Sequence, residues 1–121
     1  MNGIATSIII PAHGHEGMTR HCVNAVLATI GARSDVEVIV VDDASPEPIT
    51  LDPGADARAR VERSEANLKF SGACNLGAAA ARGGLLVFLN NDTEPHAGWL
   101  EAMEACAASD ASIAVVGARL L

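Results

Sequence analysis

Aromatic residues are nearly missing from this chain: no Tyr, two Phe and one Trp in 121 residues. So few rings argue against a base-stacking single-strand binder or an aromatic carbohydrate platform. Basic residues are scarce too, eight Lys and Arg against fifteen Asp and Glu, for a net charge of −7. A protein this acidic has no electrostatic reason to track a phosphate backbone, which excludes nucleic acid as the expected partner. Three cysteines, Cys22, Cys74 and Cys106, stand far apart with no CxxC pair. That excludes a disulfide scaffold and a tetrathiolate zinc site, and reads as a reducing, cytoplasmic setting with the thiols as buried apolar fillers. No basic segment leads into an apolar run of signal length, and no apolar stretch is long enough to span a bilayer.

What is there is aliphatic. Half of the residues are hydrophobic and 19% are charged, enough to bury one core. Thr6–Ile10 is a β-branched run that Pro11 is expected to stop. Apolar residues at Cys22, Val23, Val26, Leu27 and Ile30 fall at helical spacing, with Thr19 as a cap and Gly31 as a stop. Val36–Val41 reads as a second strand and Ala59–Arg63 as a weaker third, with Arg58, Arg60 and Arg63 on a solvated edge. A small-residue helix is expected over Ser71–Ala81, and Leu85–Leu89 reads as the clearest buried strand. A helix over Ala97–Ala108, with Trp99 packing it to the sheet, and a strand over Ile113–Val116 complete the pattern.

Unalternated apolar strands between helices predict a mostly parallel sheet covered on both faces, a Rossmann-like three-layer α/β/α fold. Ligands of such sheets bind outside the carboxyl ends of the strands. Three polar clusters stand there: Pro11-Ala12-His13 after the first strand, Asp42-Asp43 after the second, and Asn90-Asn91-Asp92 after the fourth. Asp92 with its neighbouring amides offers only oxygen, which suits a hard cation, Mg²⁺ or Mn²⁺, held jointly with phosphate. Asp42 and Asp43 suit hydrogen bonds from a base or ribose. No G-x-G-x-x-G follows the first strand, so the dinucleotide fingerprint is missing. His15, His21 and His96 have no second ligand at metal spacing and are expected in solvent.

Taken in order, SIIIPAHGHEGMTRHCVNAVL, EVIVVDDAS and EANLKFSGACNLGAAAARGGLLVFLNNDTEPHAGWL resemble the nucleotide-binding half of the inverting family 2 glycosyltransferases of GT-A fold. Each motif is weak alone; their order and spacing carry the likeness over nearly all of residues 1–121. The resemblance implies that Pro11, Ala12 and His13 lie against base and ribose, with Glu16 close by, and that Asp43 accepts a hydrogen bond from the base. It implies that Lys69, Gly72 and Asn75 pass beside the donor, that Asn90 and Asn91 face it, and that Asp92 holds the metal. It also implies a sugar donor linked to UDP, GDP or dTDP, and an acceptor glycan or lipid-linked saccharide. Four positions depart from the family: His13 stands where Tyr is frequent, Gly14 where Asn is common, Lys69 where Gly is common, and Asn90 where a strict DxD has its first Asp.

An inverting transfer needs a carboxylate to deprotonate the acceptor hydroxyl. None can be assigned, so the base is expected beyond Leu121, with the chain as the donor half of a longer enzyme whose acceptor half is absent. An uncovered sheet edge near Ile113–Val116 would then invite a homodimer. Two other readings compete. A phosphoacceptor signalling domain also carries an acid pair and a lone Asp at strand ends, but its pair follows the first strand and it needs a late Lys; none follows Lys69. A non-catalytic nucleotide-binding or interaction module on the same half-fold is the other.

Overall fold

Among the described residues four strands form: β1 Thr6–Ala12, β2 Val36–Asp43, β3 Ala59–Ser64 and β4 Leu85–Phe88. Helix α1 Glu16–Ile30 joins β1 to β2, α2 Lys69–Ala80 joins β3 to β4, and α3 Trp99–Ala108 follows β4. The computed structural model describes residues 3–52, 54–113 and 116. The strand expected over Ile113–Val116 falls on residues 114 and 115, which lie outside the described residues.

The sheet order is β3-β2-β1-β4 and every neighbouring pair is parallel. Register places Ala59, Val38, Ile8 and Val87 in one row across the sheet, and Arg60, Ile39, Ile9 and Phe88 in the next. Side chains of successive rows point to opposite faces. The first row meets α1, α3 and the loop residues Ile49 and Leu51; the second meets α2 through Ala73 and Leu76. Both connections that lead from β1 to β3 thus lie on one face, and the return to β4 crosses the other. This is the layering that one hand of crossover requires, and it gives the expected three-layer α/β/α architecture.

Several boundaries differ from the sequence expectation, each for a local reason. β1 continues through Pro11 to Ala12. Ile9 O accepts from Leu89 N, so the main chain of Ile9, and two residues on that of Pro11, faces β4. β4 has already ended there, so the missing N–H of Pro11 leaves no ladder bond unmade. α1 begins at Glu16, a turn before the expected cap; Thr19 is buried inside it and donates its hydroxyl to His15 O. β2 runs through both acids to Asp43. β4 is not the most buried strand: only Val87 is buried, and Leu86 and Phe88 are exposed, because α2 covers β1 and β2 and stops short of this edge.

α2 can lie close to the sheet because Gly77 has no side chain; a Cβ there would sit 2.5 Å from Ile9 Cγ2 and 3.0 Å from Val41 Cγ2. The three arginines expected on a solvated edge are instead bound. Arg58 donates to Asp56 and to the carbonyls of Gly31 and Arg33. Arg60 reaches Glu37 Oε1 at 2.7 Å and Ala80 O at 2.8 Å. Arg63 reaches Asp42.

Glu37 is buried at the amino end of β2, where it joins four segments. It accepts from Ser7 Oγ at 2.6 Å, from Arg60, and from both the amide and the guanidinium of Arg82. Burial alone would raise its pKa; the donors from Arg60, Ser7 and the Arg82 amide outweigh it and hold the carboxyl at about 2, against an ordinary 4.5. A carboxyl depressed in the folded state adds stability above its unfolded pKa, and that stability is lost as pH falls through the folded value. Glu37→Gln should therefore lower unfolding free energy by about 2 kcal/mol at pH 7, the scale of a charge-assisted contact. Urea titrations of the two proteins should converge as pH drops from 4.5 towards 2.

Candidate functional site

The strand order brings the carboxyl ends of β1, β2 and β4 side by side. A cleft of about 310 Å³ opens there, lined by Pro11, Ala12, His13, His15, Asp43, Asn67, Lys69, Phe70, Ala73 and Asn91. A larger cavity of about 510 Å³ runs along β4, but Leu85, Leu86, Val87, Phe88, Met103 and Ile113 line it, and among the described residues no titratable group does. The smaller cleft is therefore where chemistry can occur.

The two adjacent acids have different surroundings. Asp42 is fully buried and does not line the cleft. Its Oδ1 accepts from Ser45 N at 3.0 Å; its Oδ2 accepts from Ile49 N at 2.8 Å and Arg63 Nη1 at 2.7 Å. Burial would raise its pKa, and the hydrogen bonds from Ser45, Ile49 and Arg63 outweigh that and keep it below the usual carboxylate range. Asp43 is buried but lines the cleft. Its Oδ1 accepts from Leu68 N at 2.6 Å, tying the start of α2 to β2. Among the described residues its Oδ2 has no protein partner.

His13 donates from Nδ1 to Asp43 O at 2.6 Å. A carbonyl only accepts, so Nδ1 carries the proton and Nε2 is an acceptor in the neutral ring. Gly14 N donates to Ser45 Oγ at 2.8 Å, so the β1 loop rests on the turn that Asp42 holds. Asn91 donates to Thr19 Oγ1 at 3.1 Å and lines the cleft. Asn90 and Asp92 beside it are exposed. The Cys22 thiol, 3.7 Å from Asn90 O, marks how near they lie to α1. Burial pushes that thiol up to about 11, against a backbone hydrogen bond from Thr93, and the Asp92 charge adds to the rise.

Among the described residues three non-glycine ones adopt left-handed backbone: His15, Ala44 and Lys69, with φ of 54°, 55° and 63°. All three follow the carboxyl ends of strands or open the helix beside them, and such a conformation costs of order 1 kcal/mol each. At Lys69 a glycine would take this backbone without strain. Here a lysine accepts the strain, with Asn67 Oδ1 taking its N–H at 3.1 Å.

Of the residues expected at the site, Pro11, Ala12, His13, Asp43, Lys69 and Asn91 line one cleft. Glu16 is turned to Arg20, Thr50 N and the Thr50 hydroxyl. Gly72 and Asn75 lie on α2 away from the lining, and Asn90 and Asp92 stand exposed outside it. His15, Asn67, Phe70 and Ala73 line the cleft unforeseen. The signal for Phe70 was its place in NLKFSG, and for His15 its place after the β1 loop. His21 and His96 are exposed as expected, although His21 donates to Glu94 at 2.7 Å. All three cysteines are free, but only Cys22 is buried. Trp99 packs against the core and donates to Thr29 Oγ1.

The glycosyl transferase family 2 model matches residues 7–120. The chain belongs to that family. It is 35% identical over 120 residues to the uncharacterized protein y4gI of Sinorhizobium fredii, covering 94% of this chain and 13% of that protein. It is 30% identical over 100 residues to the glycosyltransferase AglE of Haloferax volcanii, covering 78% and 33%. The structure of Staphylococcus aureus TarS 1–349 superposes with a TM-score of 0.71 at 21% identity, covering 88% of this chain and 33% of that one. TarS 1–349 in complex with UDP gives the same TM-score at the same identity. The chain thus spans a third or less of these relatives.

No cluster of three or more His, Cys, Asp or Glu able to hold a metal ion occurs among the described residues. Asp92 supplies one carboxylate, so a cation here would need oxygens from a ligand as well. No helix among the described residues is long and apolar enough to cross a membrane.

Asp42→Asn should lower unfolding free energy at pH 7 by about 2–3 kcal/mol, since Arg63 loses its buried partner. The depressed carboxyl adds stability above 3.8 and loses it as pH falls further, so the gap between the two proteins in urea should close below that value. Asp43→Asn keeps an acceptor for Leu68 N and should unfold close to the native protein.

Proposed function

We propose that this chain binds the nucleoside diphosphate of an activated sugar and serves as the donor-binding part of an enzyme that transfers the sugar with inversion to an acceptor hydroxyl. The observation that carries this reading is the convergence of His13, Asp43, Lys69 and Asn91 on one cleft at the carboxyl ends of a parallel sheet in a family 2 chain. Support for the nucleotide comes from the superposable TarS structure, which is in complex with UDP.

In this reading the free Oδ2 of Asp43 and the Nε2 of His13 accept from the N–H edge of a base. Lys69, the one lysine or arginine on the cleft among the described residues, offsets the negative charge of the diphosphate. Asp92, with Asn90 and Asn91 beside it, would hold Mn²⁺ or Mg²⁺ together with the phosphate oxygens. When bound, that ion neutralises the diphosphate as it departs. The acceptor, a glycan or lipid-linked saccharide, and the base that deprotonates it belong to the whole enzyme. A phosphoacceptor role fits less well, because both acids at the end of β2 are buried and hydrogen-bonded by main-chain amides.

Calorimetric titration with UDP, with and without Mn²⁺, tests the reading. Binding should require the metal, and Asp92→Ala should weaken it roughly tenfold or more, the effect of one lost charge-assisted contact. Absence of UDP binding by the folded protein would overturn the reading. Binding indifferent to Asp92→Ala would remove the metal role.

A further inference from the structure

The chain has three aromatic side chains, and two of them, Phe70 and Phe88, lie outside both core clusters. Trp99 is packed on the core and hydrogen-bonded to Thr29. Phe88 lies on the β4 edge. Phe70 belongs to neither core cluster and is 61% exposed, the most exposed large apolar side chain of the described residues. Its position is not that of a scattered surface residue. Phe70, Ala73 and Gly77 stand at i, i+3 and i+7 on α2 and so share one face of the helix. Ala73 and Gly77 are buried on that face, Gly77 close over Ile9 and Val41. One turn nearer the helix start, the same face carries Phe70 beyond the strand ends, where it lines the cleft with Ala73. The lip that carries it is fixed by polar bonds, Leu68 N to Asp43 Oδ1 and Lys69 N to Asn67 Oδ1, with Lys69 in strained backbone.

We propose that Phe70 is the stacking wall for the nucleobase, a binding residue for the planar ring of the nucleoside diphosphate. The inference rests on the nucleotide reading above and adds to it the residue that supplies the apolar contact. A flat ring with polar edges matches a cleft that offers hydrogen-bond acceptors on Asp43 and His13 and an exposed phenyl ring on the α2 side. Stacking tolerates any base, so Phe70 sets affinity and the acceptors set which base is preferred.

The test compares UDP with inorganic diphosphate, each with Mn²⁺, on the native chain and on Phe70→Ala and Phe70→Trp. Phe70→Ala should weaken UDP roughly 5- to 20-fold, within the range that one aromatic–base stack supplies, and leave diphosphate within about twofold. Its melting temperature should match the native protein, as the ring is exposed. Phe70→Trp should keep UDP affinity, and its added indole emission should be quenched by UDP and not by diphosphate. Unchanged UDP affinity in Phe70→Ala, or equal weakening of UDP and diphosphate, would overturn the proposal; the second would mean that the ring holds the lip and not the base. Failure of the native chain to bind UDP, in contrast, overturns the nucleotide reading itself and this proposal with it.

Discussion

The buried carboxylate of Asp42 is the interaction on which the cleft depends. It sits at the end of β2 and takes hydrogen bonds from Ser45 N, Ile49 N and Arg63. Through them it fixes the turn after β2 and draws in the end of β3. Ser45 then presents its hydroxyl to Gly14 N and so positions the loop after β1. The next residue along the strand, Asp43, ties down the start of α2 through Leu68 N. Two adjacent acids, pointing to opposite sides of one strand, thus order three of the segments around the cleft. A charge buried this completely persists only when its donors are all in place, so the cleft walls are held together or not at all.

The remaining wall follows from topology. A parallel sheet with β1 between β2 and β4 must bring the loops after those strands to one edge. The chain then accepts local strain at that edge: left-handed backbone at His15, Ala44 and Lys69, and a phenyl ring left in water. Among the described residues no other non-glycine side chain sits on left-handed backbone. Backbone strain gathered at one place is what a site shaped for a ligand is expected to show. At the opposite edge of the sheet, Glu37 performs for β1, β2, β3 and the link to β4 what Asp42 does at the cleft.

The architecture was legible because apolar strands without alternation imply a covered parallel sheet, and all four described strands and three helices lie where the periodicity put them. Ends were less legible. Pro11 reads as a stop, and only the earlier end of β4 shows why it is tolerated. β4 reads as deeply buried because LLVFL is wholly apolar, yet burial depends on what packs above it, and α2 does not reach that far. The site was legible in outline through the polar clusters at strand ends. Direction was not: nothing in Asp42-Asp43 says which acid faces the cleft. The arginines of β3 looked solvated because their partners, Glu37 and Asp42, are remote in sequence. Phe70 was hidden because the helix is expected to start at Ser71, which leaves the ring in a loop with no face assigned to it, whereas α2 starts at Lys69.

The central claim is that nucleotide and metal meet at the carboxyl ends of β1, β2 and β4. Backbone NMR of the labelled chain, titrated with UDP and Mg²⁺ and then with Mn²⁺ in place of Mg²⁺, tests it most directly. The account predicts shift changes confined to residues around His13, Asp43, Lys69, Phe70 and Asn91, with paramagnetic broadening by Mn²⁺ centred on Asp92. Changes centred on Leu86, Phe88 and Met103 along the β4 cavity, or broadening remote from Asp92, would contradict it.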